Sequence, residues 1–139
     1  MDLPLELLKL GVKRGSILLS DSFEDIDHAK FFAIIGISNN ELAGFFFINS
    51  RIHPIIMSKS KLLEMQFLLR KEDYKFLRYD SYLGANEVQV RSINRLATSM
   101  KNGQTSIVGE LTEDDLNNVL NTCRNSDLFS ENEKRQFFY

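Results

Sequence analysis

The sequence predicts a mainly β domain with short helices, an α+β fold organised around a small half-open barrel. Three observations predict it. Two apolar runs, Phe31–Ile37 and Ala43–Ile48, flank the polar quartet Ser38-Asn39-Asn40-Glu41, which suits a tight antiparallel hairpin. The stretch from Phe76 to Leu111 passes through an extended Ser81–Leu83, sets Ile93, Leu96, Ala97 and Met100 on one helical stripe, and returns as a strand over Thr105–Val108. Finally, 139 residues that are 43% hydrophobic fit a single domain, residues 1–139, with a core of its own.

Taken in order, residues 2 to 10 crowd Leu3, Leu5, Leu7, Leu8 and Leu10 into one short helix with Pro4 in its first turn, either a lid on the open end of the barrel or a docking helix. Ser16–Leu19 is too uniformly apolar for a surface strand and reads as a buried one. Asp21–His28 then breaks the pattern with Asp21, Glu24, Asp25 and Asp27, and reads as a loop. In the hairpin turn the asparagines are the residues that tolerate left-handed backbone. Gly36 and Gly44 interrupt both strands, as glycines do where a barrel bends or a bulge sits.

Strand character is lost after Ile48, and Pro54 makes His53 extended. Ile55-Ile56-Met57 suits a short strand. Residues 58 to 75 suit either a longer helix or one helical turn followed by a strand, and the charged turn Arg70–Asp73 just after Gln66–Leu69 favours the second. Asp80-Ser81 has the composition of an Asx-type turn that fixes its own backbone. Thr112-Glu113-Asp114-Asp115 is written as a capping box, with Leu116, Val119, Leu120 and Cys123 following on one helical face. Ser130–Glu133 is a second box, opening a last turn or two that carries Phe137 and Phe138.

Charge and cysteine usage narrow the function. A net charge of −2 gives the whole molecule no general attraction for nucleic acid or anionic membrane, so any such binding is local. The lone Cys123 excludes an internal disulfide or a Cys-x-x-Cys motif, and its place on an apolar helix face reads as a small buried hydrophobe. The opening MDLPLELLKLGV has acids where a signal peptide needs bases and is too short to span a bilayer, which predicts a cytoplasmic protein with no membrane partner. The acidic run with His28 fits no calcium loop, and no zinc pattern, phosphate loop or nucleophile elbow occurs, so neither a metal nor a cofactor is called for.

Several short motifs, in the right order, resemble the MazF/PemK toxin family. They are Leu77, Asp80, Ser81, Arg95, Leu96, Ile107, Gly109, Leu111 and Thr112 in the back half, and Lys13-Arg14-Gly15-Ser16-Ile17-Leu18 in the front. The resemblance implies an SH3-like half-open barrel, a homodimer, and a toxin-like or RNA-interacting protein of a toxin–antitoxin or phage-defence system. In that family RNA is cut without metal by an arginine opening the second strand, in Arg-Pro-Ala-Val-Val, and a Thr or Ser closing the third. Setting Ala33-Ile34-Ile35 against Ala-Val-Val puts Phe31 and Phe32 where Arg and Pro would stand, and a phenyl ring cannot donate to a phosphate.

A catalytic set for an endoribonuclease would then be Ser50 at the third-strand position with Arg51 and His53 beside it, offering charge stabilisation and proton transfer. Lys30 and His28 are the cations nearest the lost arginine. Between Arg51 and Arg78 a local excess of cations, including Lys59, Lys61 and Arg70, is interleaved with Phe67, Tyr74 and Tyr79, the composition of a single-strand RNA surface or of a charged rim. The alternative function is a barrel without catalysis that serves as a protein-interaction module, with an antitoxin-like chain as partner. Eleven phenylalanines, with Phe45–Phe47, Phe129, Phe137 and Phe138 as the surplus, argue for a dimer face.

Overall fold

The computed structural model describes residues 5–23 and 28–139, without the side chains of Leu5, Glu6 and Leu8. Pro4 and most of the acidic loop and its metal reading, Glu24, Asp25 and Asp27, lie outside the described residues. The chain runs α1 (Leu5–Leu10), β1 (Ser16–Ser20), β2 (Lys30–Ile37), β3 (Leu42–Asn49), α2 (Pro54–Met57), α3 (Ser60–Leu63) and β4 (Gln66–Leu69). It continues through β5 (Ser81–Gly84), β6 (Gln89–Ser92), α4 (Ile93–Lys101), β7 (Thr105–Glu110), α5 (Glu113–Arg124) and α6 (Glu131–Phe137). All seven strands join one antiparallel sheet in the order β4-β5-β3-β2-β1-β7, with β6 also on β3. No ladder joins β4 to β7 among the described residues, so the sheet is open.

The central strands read as unbroken apolar runs because both of their faces are covered. Alternate residues point to opposite sides, so Ile17, Ala33, Ile35 and Phe46 share one core with Val119, Leu120 and Cys123 of α5 and with Phe129, Phe137 and Phe138 at and beside α6. Leu18, Phe32, Ile34 and Phe45 share the other with Leu7 of α1 and Ile93 and Leu96 of α4. Phe45, Phe46, Phe129, Phe137 and Phe138 are all buried, and Phe47 is partly so. The phenylalanine surplus put forward for a dimer face is therefore spent inside the protomer, because two cores hold what one barrel interior would not.

The hairpin pairs Phe31 with Ile48 through to Ile37 with Ala43, with a bulge between Ile34 and Gly36. Its left-handed residue is Glu41, at φ 60°, and not an asparagine. Ser38 accounts for this: its backbone N–H donates to the Leu42 carbonyl at 2.9 Å and its hydroxyl accepts from Leu42 N–H, leaving the residue before Leu42 to turn the chain. Gly36 and Gly44 face each other beneath α6, where a Cβ on Gly36 would lie 2.1 Å from the Phe137 carbonyl oxygen and one on Gly44 2.5 Å from the Phe137 ring. Arg14 holds the same end by donating to the main-chain oxygens of Ile35, Phe137 and Tyr139, and Arg124 by donating to that of Phe138 at 2.6 Å. Burial and the nearby Arg124 pull the Arg14 pKa down from its ordinary value.

Three local expectations change. Ile55-Ile56-Met57 is helical, since Pro54 opens α2 and the His53 imidazole caps it. Asp80 makes no turn of its own; its carboxylate accepts from Lys71 N–H at 2.9 Å and ties β5 to the turn after β4. At Thr112 the hydroxyl accepts from Asp115 N–H as expected, but the reciprocal half of the box is supplied by Tyr74. Its phenol accepts from Thr112 N–H at 3.1 Å and donates to the Asp115 carboxylate, one carbon too short to reach back itself. Burial first, then the bond to Asp115, raises the Tyr74 pKa. The second box, Ser130 with Glu133, closes in both directions.

Candidate functional site

A cleft of about 560 Å³ opens at the end of the β2–β3 ladder away from Gly36 and Gly44. Its floor is Phe31 of β2 and Ile48 of β3, and its far wall is residues 76–79 leading into Ser81 of β5. Phe31 packs on Phe76 with ring centroids 4.9 Å apart, which props that wall away from the sheet. Ser81 donates its hydroxyl to the Tyr79 carbonyl at 3.0 Å, fixing the rim where Tyr79 stands 67% exposed.

Four of the residues singled out from sequence line this cleft: His28, Lys30, Ser50 and Arg51. Lys30 is half-buried, donates to the Asn49 side-chain carbonyl across the ladder, and holds its ammonium 5.4 Å from the Phe47 ring centroid. Burial lowers its pKa from the ordinary lysine value, so it is a fixed and partly desolvated cation. Arg51 is exposed and reaches a second hollow of about 190 Å³, which also includes His53, Gln66 and Asn86. Arg78 and Tyr79 complete the rim.

His53 lines the smaller hollow and not the main cleft. Its Nδ1 accepts from Ile55 N–H at 3.1 Å, which leaves the proton of the neutral ring on Nε2. In this arrangement it presents a donor to the hollow, and serving as a base would cost α2 its cap. Lys59, Lys61 and Arg70 line neither cavity. Lys61 pairs with Asp127 at 3.3 Å and Arg70 with Glu72 at 3.3 Å, both solvent-exposed contacts worth little in screened water.

The geometry thus gathers three cations, an aromatic shelf and a serine around one opening, and distributes the rest of the basic stretch elsewhere. Phe76 is the member that the sequence reading did not place in the site, and Arg78 and Tyr79 entered it only as part of the basic and aromatic stretch that begins at Arg51. Their signal was the interleaving of basic and aromatic residues before Asp80, but only the Phe31–Phe76 contact shows which of them face the cleft. Among the described residues no group of three His, Cys, Asp or Glu side chains is placed to hold a metal ion, and no helix is long and apolar enough to cross a membrane. No protein-family model matches the chain, and no curated protein matches it.

Proposed function

We propose that the protein is a toxin-like RNA-binding domain, a half-open barrel of the MazF/PemK type that takes single-stranded RNA into the cleft at the Phe31 end of the hairpin. The observation that carries this reading is the convergence of Lys30, Arg51 and Arg78 on one opening that also holds Phe76 and the exposed Tyr79. Cations that track phosphates beside rings that stack bases are what single-strand binding requires. A molecule of net charge −2 binds RNA only through such a local concentration.

The test is binding of a mixed-sequence single-stranded RNA at varied salt. Affinity should fall with salt, and Arg51→Ala and Arg78→Ala should each reduce the logarithmic slope by about 0.7. If the RNA is also cut, the transition-state charge falls to Arg51, since Phe31 fills the position of the family's arginine; Arg51→Ala should then slow cleavage about 100- to 1,000-fold, with EDTA without effect. Absence of RNA binding at low salt overturns the reading.

One observation favours the second reading, a non-catalytic module that binds an antitoxin-like protein. The cleft carries the Phe31–Phe76 ring pair where its floor meets its wall, an apolar surface as ready for a peptide side chain as for a base. A homodimer would be built from the exposed Ile55, Met57, Leu63 and Leu68 of α2, α3 and β4, because the phenylalanines are enclosed. Light scattering at tens of micromolar reads that state directly.

A further inference from the structure

The hollow of about 190 Å³ beside the cleft shares two lining residues with it, Asn49 and Arg51. In the hollow Gly84 of β5 lies between Asn49 of β3 and Gln66 of β4, with Asn86 in the turn just after β5. A Cβ on Gly84 would stand 3.3 Å from Gln66 Oε1, 3.4 Å from Asn86 Oδ1 and 3.8 Å from Asn49 Nδ2. Three half-buried amides therefore converge on the room that this glycine leaves, and a glycine inside a strand marks such a close approach.

Each amide is oriented by a neighbour that plays only one role. The Lys30 ammonium has protons to give and no lone pair, so the Asn49 oxygen turns to it and the Asn49 NH2 is left for the hollow. The Leu62 main-chain carbonyl only accepts, so Gln66 Nε2 points there at 3.3 Å and spends its other proton on Asn86 Oδ1 at 3.0 Å. Gln66 Oε1 and Asn86 Nδ2 are thereby left without a partner among the described residues. No buried side-chain N or O atom lacks a partner among those residues, so these unpartnered atoms are all reachable from the hollow. The fixed pattern is two donors, Asn49 Nδ2 and Asn86 Nδ2, and one acceptor, Gln66 Oε1. Gln89 has no neighbour that orients it, so either end of its amide turns inward and it does not select. Uracil and cytosine carry the complement on their pairing edges, two acceptors and one donor, whereas guanine carries one acceptor and two donors and adenine one of each. The half-buried Phe47 and Ile56 give the faces of such a ring an apolar wall.

We propose that this hollow is a base-reading subsite that takes one pyrimidine of an RNA strand lying in the cleft, its acceptors met by Asn49 and Asn86 and its donor by Gln66. The inference rests on the RNA reading of the cleft and adds a preference to it. The experiment is fluorescence anisotropy of the full chain with oligo(U), oligo(C) and oligo(A) of equal length at one low salt concentration. Both pyrimidine strands should bind about 10-fold tighter than oligo(A), the discrimination that a well-made pair of hydrogen bonds gives. Methylating N3 of oligo(U) removes its donor and sets a methyl group against Gln66 Oε1, and should erase that advantage with no change to the protein. Gly84→Ala, which fills the room, and Gln66→Met, which removes the acceptor, should each bring the three strands within about threefold of one another. Equal affinity for all three strands in the parent overturns the subsite and leaves the RNA reading standing. So does a pyrimidine advantage that survives N3 methylation or both substitutions, since it would then come from the looser stacking of pyrimidine strands. Failure to bind any strand overturns the RNA reading and the subsite with it.

Discussion

The β2–β3 hairpin is finished in opposite ways at its two ends. At the turn end, the facing pair Gly36 and Gly44 removes both side chains, and the Phe137 ring and carbonyl move into the vacated space. Arg14 and Arg124 then satisfy the carbonyls that this close approach desolvates. At the Phe31 end the facing pair is Phe31 and Ile48, and the large ring meets Phe76 and keeps the next segment at a distance. The same two strands thus make a sealed end and an open one. Residue size decides which: small residues invite a neighbour that excludes water, while large ones stop short and leave a cleft whose rim must be polar.

The widest test of this contrast is Phe137→Ala, which empties the sealed end. It should cost about 3–5 kcal/mol in denaturant melts while leaving the proposed RNA affinity at the open end unchanged; affinity lost in a variant that is still folded would show that the two ends are coupled. Gly44→Ala overfills the same place, and about 1–3 kcal/mol of stability should go. At the open end the signs reverse. Tyr79→Ala should weaken RNA binding by about 1–3 kcal/mol, the weight of one stacked base. Its melt should stay within about 0.5 kcal/mol of the parent, as for an exposed side chain.

The smallest effect is one of pH. Cys123 lies in the core shared with Phe137, and burial pushes its thiol up to about 12. A group whose pKa is raised on folding contributes stability that is whole below its unfolded value, near 9, and is lost as pH climbs towards 12. By pH 10 the loss should be about 1.4 kcal/mol, and Cys123→Ala should remove that part of the alkaline slope. Tyr74, also raised, keeps a second part of it.

Elements set by local pattern were readable before any coordinates. The hairpin, the helical turn and strand at 60–69, the α4–β7–α5 order and the Ser130 box follow from periodicity and capping, which act over a few residues. The strand reading of Ile55-Ile56-Met57 missed a local signal, His53 and Pro54 opening a helix; the other failures depend on partners distant in the chain. Nothing near Thr112 announces that Tyr74, 38 residues away, completes its cap. Asp80 is a turn former by composition and became an acceptor for Lys71 because β5 runs beside β4. The glycines were read as a bend or bulge, and the bulge is there, but the larger reason for them is Phe137. In the same way the sequence set His53 beside Ser50 and Arg51, but Ser50, Arg51, Lys30 and His28 line the main cleft and His53 the smaller hollow, while Phe76 reaches the cleft through its contact with Phe31, which no spacing encodes.

The sheet's double cover has a consequence in time. Phe45-Phe46-Phe47-Ile48 and Phe31–Ile37 carry no charge, and until both faces are covered they have the makeup of segments that associate with their own kind. One cover is half in place when they emerge, with α1 ahead of them in the chain and α4 still to come. The other depends on Phe137, about 90 residues later, which at ~5–20 residues per second leaves roughly 5 to 20 s of synthesis with one face bare. During that interval the hairpin is a client for any holding chaperone, and the yield of folded protein should depend on translation speed between Asn49 and Phe137 more than on anything in the finished structure.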